Sequence, residues 1–364
     1  MRVVCLNANG GGKVRTLDKP KPQFRYRFPV QLLREIRGLP LRSTLWAFAV
    51  TLCCFGSPAE AAGIQLLDAD PALSGAIWYP CAAEPTVVAL GRLSVPTVDR
   101  LEGAKDCPVT GAKLPLIIVS HGNSGYFALH LDIIEALANA GFIVAAINHP
   151  GNNTNDMSAR GMSVWASRPA HMVRLLDFML HEWKDRSAID PARVGLFGFS
   201  LGGFTGLVLA GGRPDFRRFA PNCKQENKST VCEELRAGEF PADPPHDARI
   251  KAAVIVDPAV SFSFTPENLA GIGIPLQVWR SELGGGGVNA AGVAYVTRSL
   301  PGKPDIHVVP AGHYAFLPPC TAELAAFRPQ VCADPDGFDR AAFHREFNAA
   351  VVKFFHEQLV GGLR

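Results

Sequence analysis

Residues 114–120 read LPLIIVS, apolar on both alternate faces up to the closing serine, and the chain repeats such runs. Phe142–Ile147, Arg193–Phe199, Lys251–Val256, Ile274–Trp279 and Asp305–Val309 follow, each short and rich in β-branched or aromatic residues. A strand with no polar face is covered on both sides, as the strands of a parallel sheet are. The stretches between these runs carry apolar residues at helical spacing. They are 127–140, stopped by Gly141, then 168–185, opened by Pro169, then 201–210, and finally 338–359. Strands alternating with helices predict an α/β architecture, a mainly parallel sheet with helices on both faces and right-handed crossovers. Ile64–Leu67 and Gly75–Tyr79 are expected to add two short strands, and 81–113, rich in Pro, Gly and polar residues, reads as a long connection. One domain is expected over 63–364. It carries an insertion at 212–249, which holds Cys223 and Cys232 and is expected to form a small cap.

Composition limits what such a domain can bind. Net charge is only +3, and much of the excess lies in the first 42 residues, so no broad basic surface points to nucleic acid. Hydrophobic residues at 48% against 19% charged fit a packed globular chain. The basic flank Leu41–Thr44, the apolar run Leu45–Phe55 and the small residues of Ser57–Ala62 have the form of a secretory signal, with cleavage near Ala61 or Ala62. The apolar run falls short of the roughly 20 residues a spanning helix needs, so no stable membrane span is expected after cleavage. Residues 1–62 are therefore read as an N-terminal extension and signal peptide, and the chain as periplasmic or secreted. About 40 residues precede the apolar run, longer than a usual n-region; a start codon assigned too far upstream would explain them. Loss of Cys5, Cys53 and Cys54 with that segment leaves six of the nine cysteines, an even number. In sequence order they fall into near pairs, 81 with 107, 223 with 232 and 320 with 332; buried free thiols are the alternative.

The chemistry begins at Gly198-Phe199-Ser200-Leu201-Gly202. It follows an apolar strand and opens a helix of small residues. In that setting Gly-x-Ser-x-Gly is a nucleophile elbow: a tight turn lifts the serine hydroxyl off the sheet, and side chains two positions either way would collide with neighbouring backbone. A serine hydroxyl needs a base. Of ten histidines, His313 sits just beyond the last strand, at the sheet edge that carries the elbow and downstream of it in the chain. His246 lies in the insertion, His307 within a strand, and His344 and His356 on the terminal helix. The carboxylate that orients the base is either Asp257, at the end of strand 251–256, or Glu282, after the next strand. Asp257 is favoured because the shorter side chain has less freedom to lose. The oxyanion of a tetrahedral intermediate needs donors. The amide of Leu201 is one candidate. The amide of Asn123, in the turn His121-Gly122-Asn123-Ser124-Gly125, is the other. Phe199, Leu201, Phe127, Trp165 and Phe316 are candidates to line an apolar acyl pocket, or else to pack the core.

Taken with Ile77-Trp78-Tyr79-Pro80, Ser120-His121-Gly122, Val256-Asp257-Pro258 and Gly312-His313-Tyr314, the chain over about 63–360 resembles α/β-hydrolases of the dienelactone hydrolase-like group. It is most similar to platelet-activating-factor acetylhydrolase-like esterases. The resemblance implies the α/β-hydrolase fold and a serine esterase working through an acyl-enzyme, with no metal or organic cofactor. In acetylhydrolase-like members the acid follows the strand after the nucleophile's, which favours Asp257. Dienelactone hydrolases proper use a cysteine nucleophile; Ser200 departs from them. The expected substrate is a small-molecule or lipid ester, with acyl transfer or depolymerisation of polyester or lipid esters by the same triad as the alternative.

Overall fold

The computed structural model describes residues 62–361, so the N-terminal expectations lie outside the described residues. Ten strands form one sheet: β1 (Gly63–Leu67), β2 (Gly75–Tyr79), β3 (Thr86–Ala89), β4 (Arg100–Lys105), β5 (Leu114–Ser120), β6 (Ile143–Ile147), β7 (Ile189–Phe199), β8 (Ile250–Val256), β9 (Leu276–Ser281) and β10 (Asp305–Val309). Their spatial order is β10-β9-β8-β7-β5-β6-β2-β1-β4-β3. Pairing is parallel from β6 through β5, β7, β8 and β9 to β10. β2 runs antiparallel to β6 and to β1. The order reverses around β5, which lies between β6 and β7, and at such a switch point the strands' C-terminal ends open a crevice. The fold is the α/β-hydrolase fold.

The helices are α1 (Leu131–Asn139), α2 (Ser163–Asp177), α3 (Leu201–Leu209), α4 (Thr230–Ala237), α5 (Pro266–Leu269), α6 (Ala290–Ser299), α7 (Ala322–Phe327) and α8 (Arg340–Phe355). The apolar strands feed two cores. On one face Leu116, Ile118, Ala253 and Ile255 meet Met172, Leu175, Leu207 and Val296 from α2, α3 and α6. On the other, Ile117, Val119, Val254 and Val256 meet Ile133, Leu137, Phe347 and Val351 from α1 and α8. Ile117 and Ile118 are both fully buried, which explains why no polar alternation marks β5. Truncating such a side chain to alanine costs about 2–5 kcal/mol.

Three expectations need correction. The connection over 81–113 contains β3 and β4, an antiparallel pair in which Val88 faces Leu101. β3 buries only Val88 and leaves Val87 63% exposed, so its apolar signal is too thin to read. Helix α2 starts at Ser163, six residues before Pro169, which sits buried inside it. The missing proline N–H removes one hydrogen bond there and does not end the helix, because Met172, Leu175 and Leu176 in the turns beyond are buried. Helix α1 opens only at Leu131, after a turn in which Leu129 N–H bonds Tyr126 O.

All three expected cysteine pairs are disulfides: Cys81–Cys107, Cys223–Cys232 and Cys320–Cys332. The second ties a 3-10 turn (Phe216–Asn222) to α4 within the insertion. Phe216 and Phe219 pack on Trp165, and Glu234 accepts the Met162 N–H at 2.7 Å, so the insertion lies against the start of α2. Among the described residues no helix is long and apolar enough to cross a membrane.

Candidate active site

Ser200 joins β7 to α3 with φ 57° and ψ −116°, a strained conformation for a residue with a side chain. The turn is over-determined. Ser200 N–H donates to Val256 O at 2.8 Å, and its own carbonyl accepts from Phe204 and Ala259. A Cβ on Gly198 would lie 2.2 Å from Gly202 O, and one on Gly202 would lie 1.8 Å from Ser120 O. Both glycines are therefore demanded by close backbone approach, as the elbow reading requires.

Asp257 ends β8 on the adjacent strand, at φ 43°. Its N–H is fixed to Trp279 O at 2.7 Å. Its carboxylate accepts the Ser281 N–H (3.0 Å) and the Ser281 hydroxyl (2.8 Å), and it meets His313 Nδ1 at 2.6 Å. Both partners are buried, Asp257 completely and His313 to 2% exposure. With Nδ1 donating to the carboxylate, Nε2 is the nitrogen free to take a proton. The imidazole stacks on Phe199, centroids 4.6 Å apart, and the His313 N–H donates to Gly284 O at 2.7 Å. Glu282, the rival acid, is exposed, and its carboxylate makes no ion pair or hydrogen bond among the described residues.

Ser200 and His313 line one cavity of about 180 Å³. No hydrogen bond joins the Ser200 hydroxyl to the ring; such bonds are commonly long before substrate binds. Gly122 and Asn123 line the same cavity, and neither the Asn123 nor the Leu201 N–H has an acceptor among the described residues. An oxyanion site needs such free donors; Asn123 lines the cavity, while Leu201, next to Ser200 in the chain, does not. The Asn123 side chain is held aside, its Oδ1 accepting from Asn152 Nδ2 at 2.9 Å.

The cavity walls differ from expectation. Of the five candidate pocket residues only Phe199 lines it. Leu201, Phe127 and Phe316 are core residues, and Trp165 packs on Phe216, Phe219 and Phe262. No residue of 212–249 lines the cavity. One wall comes from Val95, Pro96 and Thr97, ahead of β4; the other comes from Leu317, Leu324, Phe327, Arg328 and Val331, a stretch closed by Cys320–Cys332. Tyr126 joins the wall with its hydroxyl pKa pushed up to about 12 by burial. Ser281, which holds Asp257, and Asn152 also escaped sequence reasoning. The glycine run 284–287 also packs against the His313 loop, where a side chain on Gly286 would strike the ring 2.8 Å away.

The model of the dienelactone hydrolase family matches residues 103–231, which hold β5, the Gly122–Asn123 turn and the elbow. Among solved structures, ferulic acid esterase from Streptomyces cinnamoneus is similar at a TM-score of 0.57 and 19% identity, over 84% of this chain and 92% of that one. The overall topology agrees with that likeness, and the family match covers the segment in which the serine stands. The chain thus has the α/β-hydrolase fold, and over the segment that holds the serine it is similar to the dienelactone hydrolases.

Proposed function

We propose that the chain cleaves carboxylic esters through an acyl-enzyme on Ser200. Ser200 Oγ attacks the ester carbonyl while His313 Nε2 takes its proton. Asp257 keeps the imidazole in that tautomer and stabilises the imidazolium. The amides of Leu201 and Asn123 hold the oxyanion. The alcohol leaves with the proton from His313. Water then attacks the acyl-enzyme, with His313 again the base, and releases the acid. The observation that carries this reading is the buried 2.6 Å contact between His313 Nδ1 and Asp257 in the cavity that Ser200 lines.

The cavity supports an apolar or aromatic acyl group of modest size. Phe199, Tyr126, Leu129, Leu317 and Leu324 surround the serine, and about 180 Å³ holds a small ring or short chain. A phenylpropenoyl ester, the class named by the similar ferulic acid esterase, is the first substrate to try. Export to an oxidising compartment fits the three disulfides. In this layout 1–62 is the removable leader, and 63–364 is the catalytic domain, with 212–249 an appendage against α2.

A fluorophosphonate probe tests the nucleophile. The wild-type protein should label and hydrolyse p-nitrophenyl esters, and Ser200→Ala should do neither. Undiminished hydrolysis by Ser200→Ala sinks the reading.

A further inference from the structure

Arg168 is fully buried on α2, and no carboxylate pairs with it among the described residues. Removing a guanidinium from water without a counter-charge is costly, and two of its nitrogens, Nε and Nη1, have no hydrogen-bond partner among the described residues. Nor do its neighbours offset the charge. His121, His149 and His171 surround it, and burial, reinforced by the Arg168 cation, pushes each imidazole below its ordinary pKa, His171 to about 4. Burial brings Arg168 itself down only to about 9, so the group stays charged at neutral pH.

What the charge touches is informative. Arg168 Nη2 donates to the carbonyl of Gly122 at 3.2 Å and lies equally close, 3.2 Å, to His121 Nδ1. That oxygen also meets His121 Nδ1 at 2.7 Å and accepts the Gly125 N–H at 3.2 Å. His121 Nε2 in turn accepts the His149 N–H, which fixes Nδ1 as the protonated nitrogen. Gly122 C=O and Asn123 N–H belong to one planar trans peptide, so the two point in opposite directions. Holding the oxygen inward against α2 therefore aims the amide outward, on the side of the cavity. A cation at the carbonyl end also polarises the amide and strengthens its N–H as a donor.

We infer that Arg168 is a positioning residue for oxyanion stabilisation: it fixes and polarises the Gly122–Asn123 peptide so that the Asn123 amide is preset for the tetrahedral intermediate. This rests on the serine esterase reading above. It adds no chemical step, since Arg168 touches neither substrate nor nucleophile.

Arg168→Met removes charge and donors at similar volume. It should lower kcat about 10- to 100-fold, less than the 10²–10³ of deleting an oxyanion donor outright, with KM within about twofold. A trifluoromethyl ketone, which forms an oxyanionic hemiketal with Ser200, should lose affinity by the same factor. The carbonyl stretch of the trapped acyl-enzyme should move to higher frequency. Arg168→Lys, which restores one cationic donor, should recover part of both losses. A merely structural residue would lower melting temperature without this parallel loss, whereas here melting temperature should hold or rise. Should Arg168→Met not fold, Arg168→Lys decides on the same parallel between kcat/KM and ketone affinity. Wild-type kcat and ketone affinity in a folded variant, or a kcat loss with ketone affinity intact, overturns the inference. Full activity in Ser200→Ala would instead remove the reading beneath it.

Discussion

Two histidine–carboxylate pairs in this molecule have the same first contact and different second ones. His313 Nδ1 lies 2.6 Å from Asp257, and His344 Nδ1 lies 2.6 Å from Asp132. Both rings are buried. The difference is at the other nitrogen. His313 Nε2 is left free in a ring that lines the cavity, whereas His344 Nε2 bonds the carbonyl of Ala315 at 2.9 Å, in the very turn that carries His313. In the proposed mechanism the first pair passes the proton, and the second braces the turn that carries it. A buried Asp–His contact alone therefore says little about catalysis, and what the far nitrogen faces decides.

Exchanging the two acids tests this contrast most severely. Asp257→Asn should cut kcat by about 10⁴, since the ring then loses its tautomer and the stabilisation of its charge. Asp132→Asn should cost less than tenfold in kcat and act on melting temperature. Comparable losses of kcat in both would mean that the second pair is more than a brace. Next in size is His344→Gln, which strips the Ala315 carbonyl of its donor at a buried site. A cost of about 1–3 kcal/mol in stability is expected, with a kcat loss near tenfold as the turn loosens. Wild-type melting with a collapse in kcat would contradict the assignment.

Acid titration separates the buried rings more gently. Burial pushes His130 down to about 3 and His171 to about 4, with His121 and His149 well below their usual range. The unfolded chain binds protons on these groups from about pH 6.5 downward while the folded chain does not, so stability falls as pH drops from 6.5 towards 4. Glu135 works the other way. Burial raises it to about 7, so the folded state keeps a proton that the unfolded state releases above pH 4.5, and stability falls as pH rises through that window. Four groups outweigh one, and melting curves from pH 7 to 5 should show a net decline. Glu135→Gln, the smallest effect, should raise melting temperature above pH 7 and change nothing near pH 4.

The elbow was legible because each of its requirements leaves a residue-level mark: an apolar strand, glycines two positions either side, a small-residue helix. The parallel half of the sheet was equally plain, since β5 and β8 bury both faces and hide no polar period. The choice between Asp257 and Glu282 was not written locally. Each follows a strand end, and what distinguishes them is the Ser281 hydroxyl and amide gripping Asp257 from the neighbouring strand. The cavity walls were illegible for a related reason. Phe127, Phe316 and Trp165 look the same in sequence whether they face a ligand or each other, and here they face the core and the insertion. Arg168 was overlooked because a charged residue in an amphipathic helix reads as its solvated side.

The cavity's two walls, 95–97 and 317–331, lie outside the stretch 103–231 on which the family match rests, one before it and one after. The second is a sealed ring, knotted at Cys320 and Cys332, whose rim is stitched to α8 by Arg340 through the Val331 carbonyl at 3.0 Å. In the proposed esterase reading, part of the substrate wall is thus modular, while Tyr126 and Leu129 lie inside the matched stretch. A different ring between the same two cysteines would re-tailor what enters while leaving the reacting groups where they stand.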